Sequence, residues 1–121
     1  MSLCILAGAK SLTLAVSAFT LAWTHSVERT SWEEDWRVTA EGLELVEARV
    51  EGSGAGMEPP PGAVLEDGRW TYRPDLPAQE VLILAHSGAI GKGWRLCAQG
   101  SCRELAPEAG APLELRPCGK P

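Results

Sequence analysis

Residues 3–23 read LCILAGAKSLTLAVSAFTLAW, and the fold turns on whether this run is a membrane span, a secretory leader or a set of strands. Three features select strands. No Lys or Arg precedes Lys10, so the basic leading region of a signal peptide is missing. Lys10 itself falls inside the run, where a charge is costly in a bilayer. The apolar residues also alternate: Leu12, Leu14 and Val16 share one face, while Ser11, Thr13, Ala15 and Ser17 take the other. Phe19, Leu21, Trp23, His25 and Val27 continue the pattern, and a period of two belongs to strands. Gly8-Ala9 then reads as the turn of a hairpin joining Leu3–Ala7 to Lys10–Val16.

The same alternation recurs downstream. After a break at Arg29-Thr30-Ser31, Trp32, Glu34, Trp36 and Val38 alternate with Glu33, Asp35 and Arg37, and Leu43–Val50 follows as a further strand. Asp67-Gly68 between Val64–Glu66 and Trp70–Arg73 is a strong hairpin signal. Val81–Ala85 is a continuous apolar run, expected as a strand buried on both faces. Trp94–Ala98 and Ser101–Leu105 form a hairpin, and Leu113–Arg116 a last short strand. No segment keeps an apolar period of 3.6, and no internal repeat is long enough for a solenoid. The expectation is an all-β, single-domain antiparallel β-sandwich or partly open β-barrel over residues 1–121, with about 8–10 short strands.

Composition agrees. The chain has 121 residues, enough for one core and too few for two ordinary domains. Thirteen Gly and nine Pro imply many turns, and with one Phe and one Tyr the five Trp supply most of the aromatic burial. The net charge of −5 is uneven: residues 28–85 hold thirteen acids against five bases, and no basic stripe exists, which argues against nucleic acid as a partner. The acidic middle reads as solvated strand faces, or as a negative surface that docks a basic partner.

Cys4, Cys97, Cys102 and Cys118 make an even count in a small chain, compatible with disulfides in an oxidising compartment. A turn at Gln99-Gly100 would set Cys97 and Cys102 opposite each other on paired strands, within disulfide reach. Cys97–Cys102 then leaves Cys4–Cys118 to tie the chain ends together. A zinc site is disfavoured, because C-x4-C is at the edge of ligand spacings and no second knuckle exists. Either an export leader lies upstream of Met1, or the cysteines are reduced thiols in the cytoplasm.

No set of residues makes a convincing enzyme. His25 and Ser26 point to opposite faces of a strand, so they cannot act as base and nucleophile. His25 is expected to be a hydrogen-bonded strand-end histidine, or a polar contact at a pocket rim. Glu33, Glu34 and Asp35 diverge in a strand and do not converge on one cation. Glu34 shares the tryptophan face and needs a partner there, with Arg49 or Arg37 the candidates. GSGAGM at 52–57 is neither a dinucleotide fingerprint nor a P-loop. It is a glycine-permitted bend locked by Pro59, Pro60 and Pro61, or a nest of backbone N–H groups for an anion.

Four segments together, THSVERTSWEEDWRV (24–38), LVEARVEGSGAGMEPPPGA (45–63), DGRWTYRP (67–74) and WRLCAQGSCREL (94–105), resemble the domain-of-unknown-function family numbered 1850, as it occurs in proteobacteria. The resemblance covers about 19–105. It implies a small accessory protein encoded beside TAXI-type TRAP transporters, which import organic acids, and a place in the periplasm or cell envelope. It brings no catalytic residues; its motif positions here are His25, Ser26, Glu28, Trp32, Glu34, Gly52, Gly54, Gly56 and Met57. The expected function is therefore a non-enzymatic accessory or binding protein of a TRAP-type solute importer, with transporter components or a small organic anion as partners. The alternative is a structural or assembly protein of the envelope without a ligand site. No cofactor, metal or transmembrane segment is expected.

Overall fold

The computed structural model describes residues 1–24, 31–51, 62–84, 94–105 and 112–119, and these residues form strands and turns without a helix. Eleven strands occur: β1 (Ser2–Ala7), β2 (Lys10–Leu14), β3 (Ala18–Thr24), β4 (Ser31–Thr39), β5 (Gly42–Glu51), β6 (Val64–Glu66), β7 (Arg69–Tyr72), β8 (Leu82–Leu84), β9 (Trp94–Ala98), β10 (Ser101–Leu105) and β11 (Leu113–Cys118). That is slightly more than the sequence pattern predicts. They build two antiparallel sheets, ordered β2-β1-β11-β8 and β10-β9-β3-β4-β5-β7-β6. The sheets face each other as a sandwich and do not close into a barrel, which resolves the two architectures left open above. Residues 3–23 are strand throughout most of their length, as the alternation requires.

The core lies between the sheets. Leu3, Ile5, Leu84, Leu113 and Leu115 from the small sheet meet Phe19, Leu21, Trp36, Val38, Leu43, Trp94, Leu96 and Leu105 from the large one. Burying side chains of this size contributes about 1.5–3 kcal/mol each. Val16, just after β2, is also buried there. One expectation fails: β8 is not buried on both faces. It sits at the edge of the small sheet, pairing with β11 among the described strands, and Ile83 is 61% exposed. The continuous apolar run Val81–Ala85 reads as a central strand, but only the pairing decides which face is covered.

The two cysteine pairs form as the spacing suggests. Cys97 and Cys102 are register partners across the β9–β10 hairpin, with Cα atoms 4.0 Å apart. Cys4 pairs with Cys118 at a Cα separation of 5.8 Å, diagonally across β1 and β11, since Cys4 lies opposite Arg116. This bridge spans 114 positions and fastens the first strand to the last. Asp67-Gly68 and Gln99-Gly100 both take positive φ at both residues, the geometry of a two-residue type I′ hairpin.

Gly42 carries the sharpest local constraint. Its φ is +147°, and a Cβ there would lie 2.5 Å from the Gln79 carbonyl oxygen. That contact exists because Leu43 and Gln79 exchange two backbone hydrogen bonds, of 2.7 and 2.8 Å, docking the segment before β8 onto the start of β5. Gly42→Ala is expected to lower unfolding free energy by about 1–3 kcal/mol in urea titration, through the strained φ and the displaced Gln79 bridge. An unchanged urea midpoint would show that Gln79 is not held against β5.

Candidate functional site

The site is best built from β4 and β5, because their alternation sets which side chains face which way. On β4, Trp32, Glu34, Trp36 and Val38 point to the inner face and Glu33, Asp35 and Arg37 to the outer one, as the sequence pattern predicts. On β5 the parity changes midway. Asp35 is opposite Glu47, but Trp36 is opposite Leu45, so Val46 is an extra residue that bulges the strand. Leu43 and Leu45 before the bulge, and Ala48 and Val50 after it, therefore share the inner face, and Glu44, Glu47, Arg49 and Glu51 share the outer one.

That switch decides the partner of Glu34. The sequence pattern nominated Arg49 or Arg37, and neither serves. Arg49 lies on the opposite face of the sheet, and Arg37 sits near Glu44 at 3.7 Å. Glu34 instead accepts a hydrogen bond of 3.2 Å from the indole Nε1 of Trp36, two residues along the same face. Burial pushes its carboxyl above the ordinary range, and the Trp36 bond offsets part of that shift. Leu21 and Ala48 flank Glu34 on the neighbouring strands, and Tyr72 lies beyond Ala48. Tyr72 is raised by its own burial and by the Glu34 charge.

One row nearer the strand ends, the inner face is aromatic. Trp23 and Trp32 are register partners with near-parallel rings, 6.0 Å between centroids, and Trp94 tilts against Trp23 at 4.7 Å. Val50 and then Trp70 continue this row across β5 and β7. Four of the five tryptophans thus line one end of one sheet face. The Nε1 atom of Trp94 is buried there without a hydrogen-bond acceptor among the described residues.

Of the motif positions, Trp32 and Glu34 belong to this region. His25, Ser26, Glu28, Gly52, Gly54, Gly56 and Met57 lie outside the described residues. The strands that lead into those two segments can still be placed. Thr24, the last residue of β3, pairs with Ser31, and the Ser31 amide donates to Glu51 Oε1 at 2.9 Å across to β5. The ends of β3 and β5 therefore lie roughly 10 Å apart, two strand spacings, at the aromatic end of the sheet. Hydrogen bonds from Ser31 hold the Glu51 carboxyl below its usual range.

The outer face carries an ion-pair network that the sequence pattern did not reveal. Arg49 donates to both oxygens of Asp35 at 2.8 and 2.9 Å, to Glu47 at 2.6 Å and to Glu33 at 3.3 Å. Arg69 also pairs with Glu33, and Thr20 donates to Asp35 at 2.8 Å. The Asp35 carboxyl is held below its ordinary range chiefly by the Arg49 bond, and Arg49 is raised in turn. Beside it, a recess of about 490 Å³ opens between β5, β7 and β6, lined in part by Glu47, Arg49, Val64, Glu66, Arg69 and Thr71. Alternation along β4 did point Glu33 and Asp35 outward together. The Val46 bulge that brings Arg49 and Glu47 to the face of Glu33 and Asp35 is marked within β5 by the adjacent apolar pair Leu45-Val46, where the alternation slips by one residue.

Among the described residues no three His, Cys, Asp or Glu side chains could hold a metal ion. A family model described as Domain of unknown function (DUF1850) matches residues 19–105, which takes in both faces of this region. No curated protein and no solved structure matches the chain.

The protonation of Glu34 gives a direct test of its environment. Its folded-state pKa is raised, so its stabilising neutral form is fully present below the unfolded value near 4.5 and is lost as pH rises through the folded value. Glu34→Gln keeps an acceptor for Trp36 and removes that titration. The variant is expected to melt above the wild type at pH 7, with the gap closing toward pH 4. Equal gaps at both pH values would mean that the carboxyl is solvated.

Proposed function

The chain belongs to the DUF1850 family, and from that premise we propose that it is a small non-enzymatic accessory or binding protein of a TRAP-type solute importer, working at the cell envelope. One observation carries this reading: the ends of β3 and β5, from which the His25 and Gly52 segments depart, lie at the same aromatic end of the sheet as Trp32 and Trp94. Two strand ends far apart in sequence thus lie at one end of the sheet, about two strand spacings from each other. A buried indole N–H without an acceptor among the described residues, and a carboxyl kept at the expense of stability, stand beside them. Groups held in unfavourable surroundings are more common at functional sites than in purely structural cores.

An envelope location is supported by the two disulfides, since such bonds persist in oxidising compartments and are rare in the cytosol. An intact mass of the protein from its native host checks this. Four hydrogens fewer than the reduced chain, with no thiol open to alkylation, is the expected result. Four alkylated thiols would place the chain in a reducing compartment and remove the disulfides from its working form.

The binding role has its own test. His25→Ala is expected to weaken transporter-dependent uptake of organic acid while shifting the thermal midpoint by no more than a few degrees. A large fall in the midpoint, with uptake per folded molecule unchanged, would instead favour a structural or assembly role without a ligand site.

A further inference from the structure

The end strand β6 of the large sheet has only β7 as a partner among the described residues, which leaves its other edge unpaired there. The β10 and β2 edges carry protection of the usual kinds, whereas β8, the edge of the small sheet, is apolar and exposed at Ile83 like β6 but bears no acidic residue. β10 bears Arg103 and Glu104 and is stapled to β9 by Cys97–Cys102, and β2 opens with Lys10. β6 has neither a charge before its last residue nor a proline, and Val64 and Leu65 are 55% and 53% exposed. Its hydrogen bonding is fixed by the hairpin. Glu66 and Arg69 flank the two-residue turn as the closing hydrogen-bonded pair. Leu65, opposite Trp70, is therefore a non-hydrogen-bonded position of that ladder, and its N–H and C=O point to the free edge.

The two faces beside this edge differ in chemistry. On the inner side Leu65 continues the row of Trp70 and Val50, which is apolar. On the outer side Val64 and Glu66 border the recess, and the sheet beyond it carries more acid than base. Glu33, Asp35, Glu44, Glu47, Glu51 and Glu66 face outward there against Arg37, Arg49, Arg69 and Arg73. Arg49 is consumed by three of these carboxylates and Arg69 by Glu33, whereas Glu66 and Asp67 at the rim have no ion pair among the described residues.

We infer that β6 docks an extended segment of a basic partner protein, which adds as a further strand. Its outward side chains are lysine or arginine, meeting Glu66 and Asp67 at the rim of the recess, and its inward ones are apolar, packing beside Leu65 and Trp70. Main-chain pairing supplies affinity in this mode and the alternating side chains supply selectivity. The acidic face excludes an acidic segment of the same shape. This inference uses other residues than the proposed binding role and stands or falls separately from it.

The test uses the full, oxidised chain with two short blocked peptides, one alternating Lys and Val and one alternating Glu and Val, followed by amide shifts in NMR. The Lys-Val peptide is expected to shift the amides of Val64–Glu66 and Arg69–Tyr72, and the Glu-Val peptide to leave them in place. Glu66→Lys is expected to weaken binding about three- to tenfold, and raising the salt to weaken it further, because the attraction is between exposed charges. Leu65→Pro removes the free-edge donor without touching the β7 ladder and is expected to abolish binding. Glu66→Lys, a substitution at an exposed site, keeps the question open to measurement should the proline variant unfold. Equal shifts from both peptides, or none from either, would overturn the proposal. So would a concentration-dependent dimer whose interface maps to β6, since the occupant would then be a second copy.

Discussion

Much of this structure depends on one extra residue. Val46 bulges β5 and reverses the parity of the strand, so that Leu43 and Leu45 on one side of it and Ala48 and Val50 on the other all face inward. A regular ladder from Leu45 onward would turn Arg49 and Glu47 into the core and put Ala48 and Val50 outside. The bulge avoids burying a guanidinium among leucines, a burial that would cost several kcal/mol. It also assembles the outer network, because Arg49 then lies opposite Glu33 and within reach of Asp35 and Glu47. A single backbone irregularity thus separates an apolar face from a charged one.

The inner face shows what that separation leaves behind. Glu34 is the one carboxylate on β4 that points into the sandwich, and among the described residues no arginine follows it there. It is held by an indole N–H, which supplies one hydrogen bond and no countercharge. Burial of this kind raises the carboxyl and weakens the folded state at neutral pH. Its neighbours Trp32, Trp36 and Tyr72 give the region large, rigid side chains with a polar atom on each ring. The disulfides stabilise this arrangement from outside it. Cys4–Cys118 closes the small sheet onto itself, and Cys97–Cys102 staples the hairpin beside Trp94.

How far the sequence alone reaches is clearest at individual residues. Alternation from Leu12 to Trp23 and from Trp32 to Val38 identified strands, and Asp67-Gly68 and Gln99-Gly100 identified hairpins, because both signals are local and steric. The Cys97–Cys102 pair was legible for the same reason: its geometry follows from a two-residue turn. The shared face of Trp32 and Glu34 was legible, since period two assigns faces without knowledge of neighbours, while their place among the motif positions rests on the family resemblance. The partner of Glu34 was not legible, and neither was the exposure of Ile83. Glu34 is held by Trp36 on its own strand, but that Arg49 is turned away from it follows from the register of β5, and the exposure of Ile83 follows from which strand lies alongside β8.

The sequence by itself therefore determined the strands, their turns, the faces of β4, the cysteine pairing and the family. Each rests on spacing within a short stretch, where sterics and side-chain period suffice. Only the tertiary structure decided the Arg49 network, the recess beside β6 and the placing of the β3 and β5 ends at one end of the sheet. These follow from register between strands distant in the chain, which is set by how the whole apolar surface is buried at once.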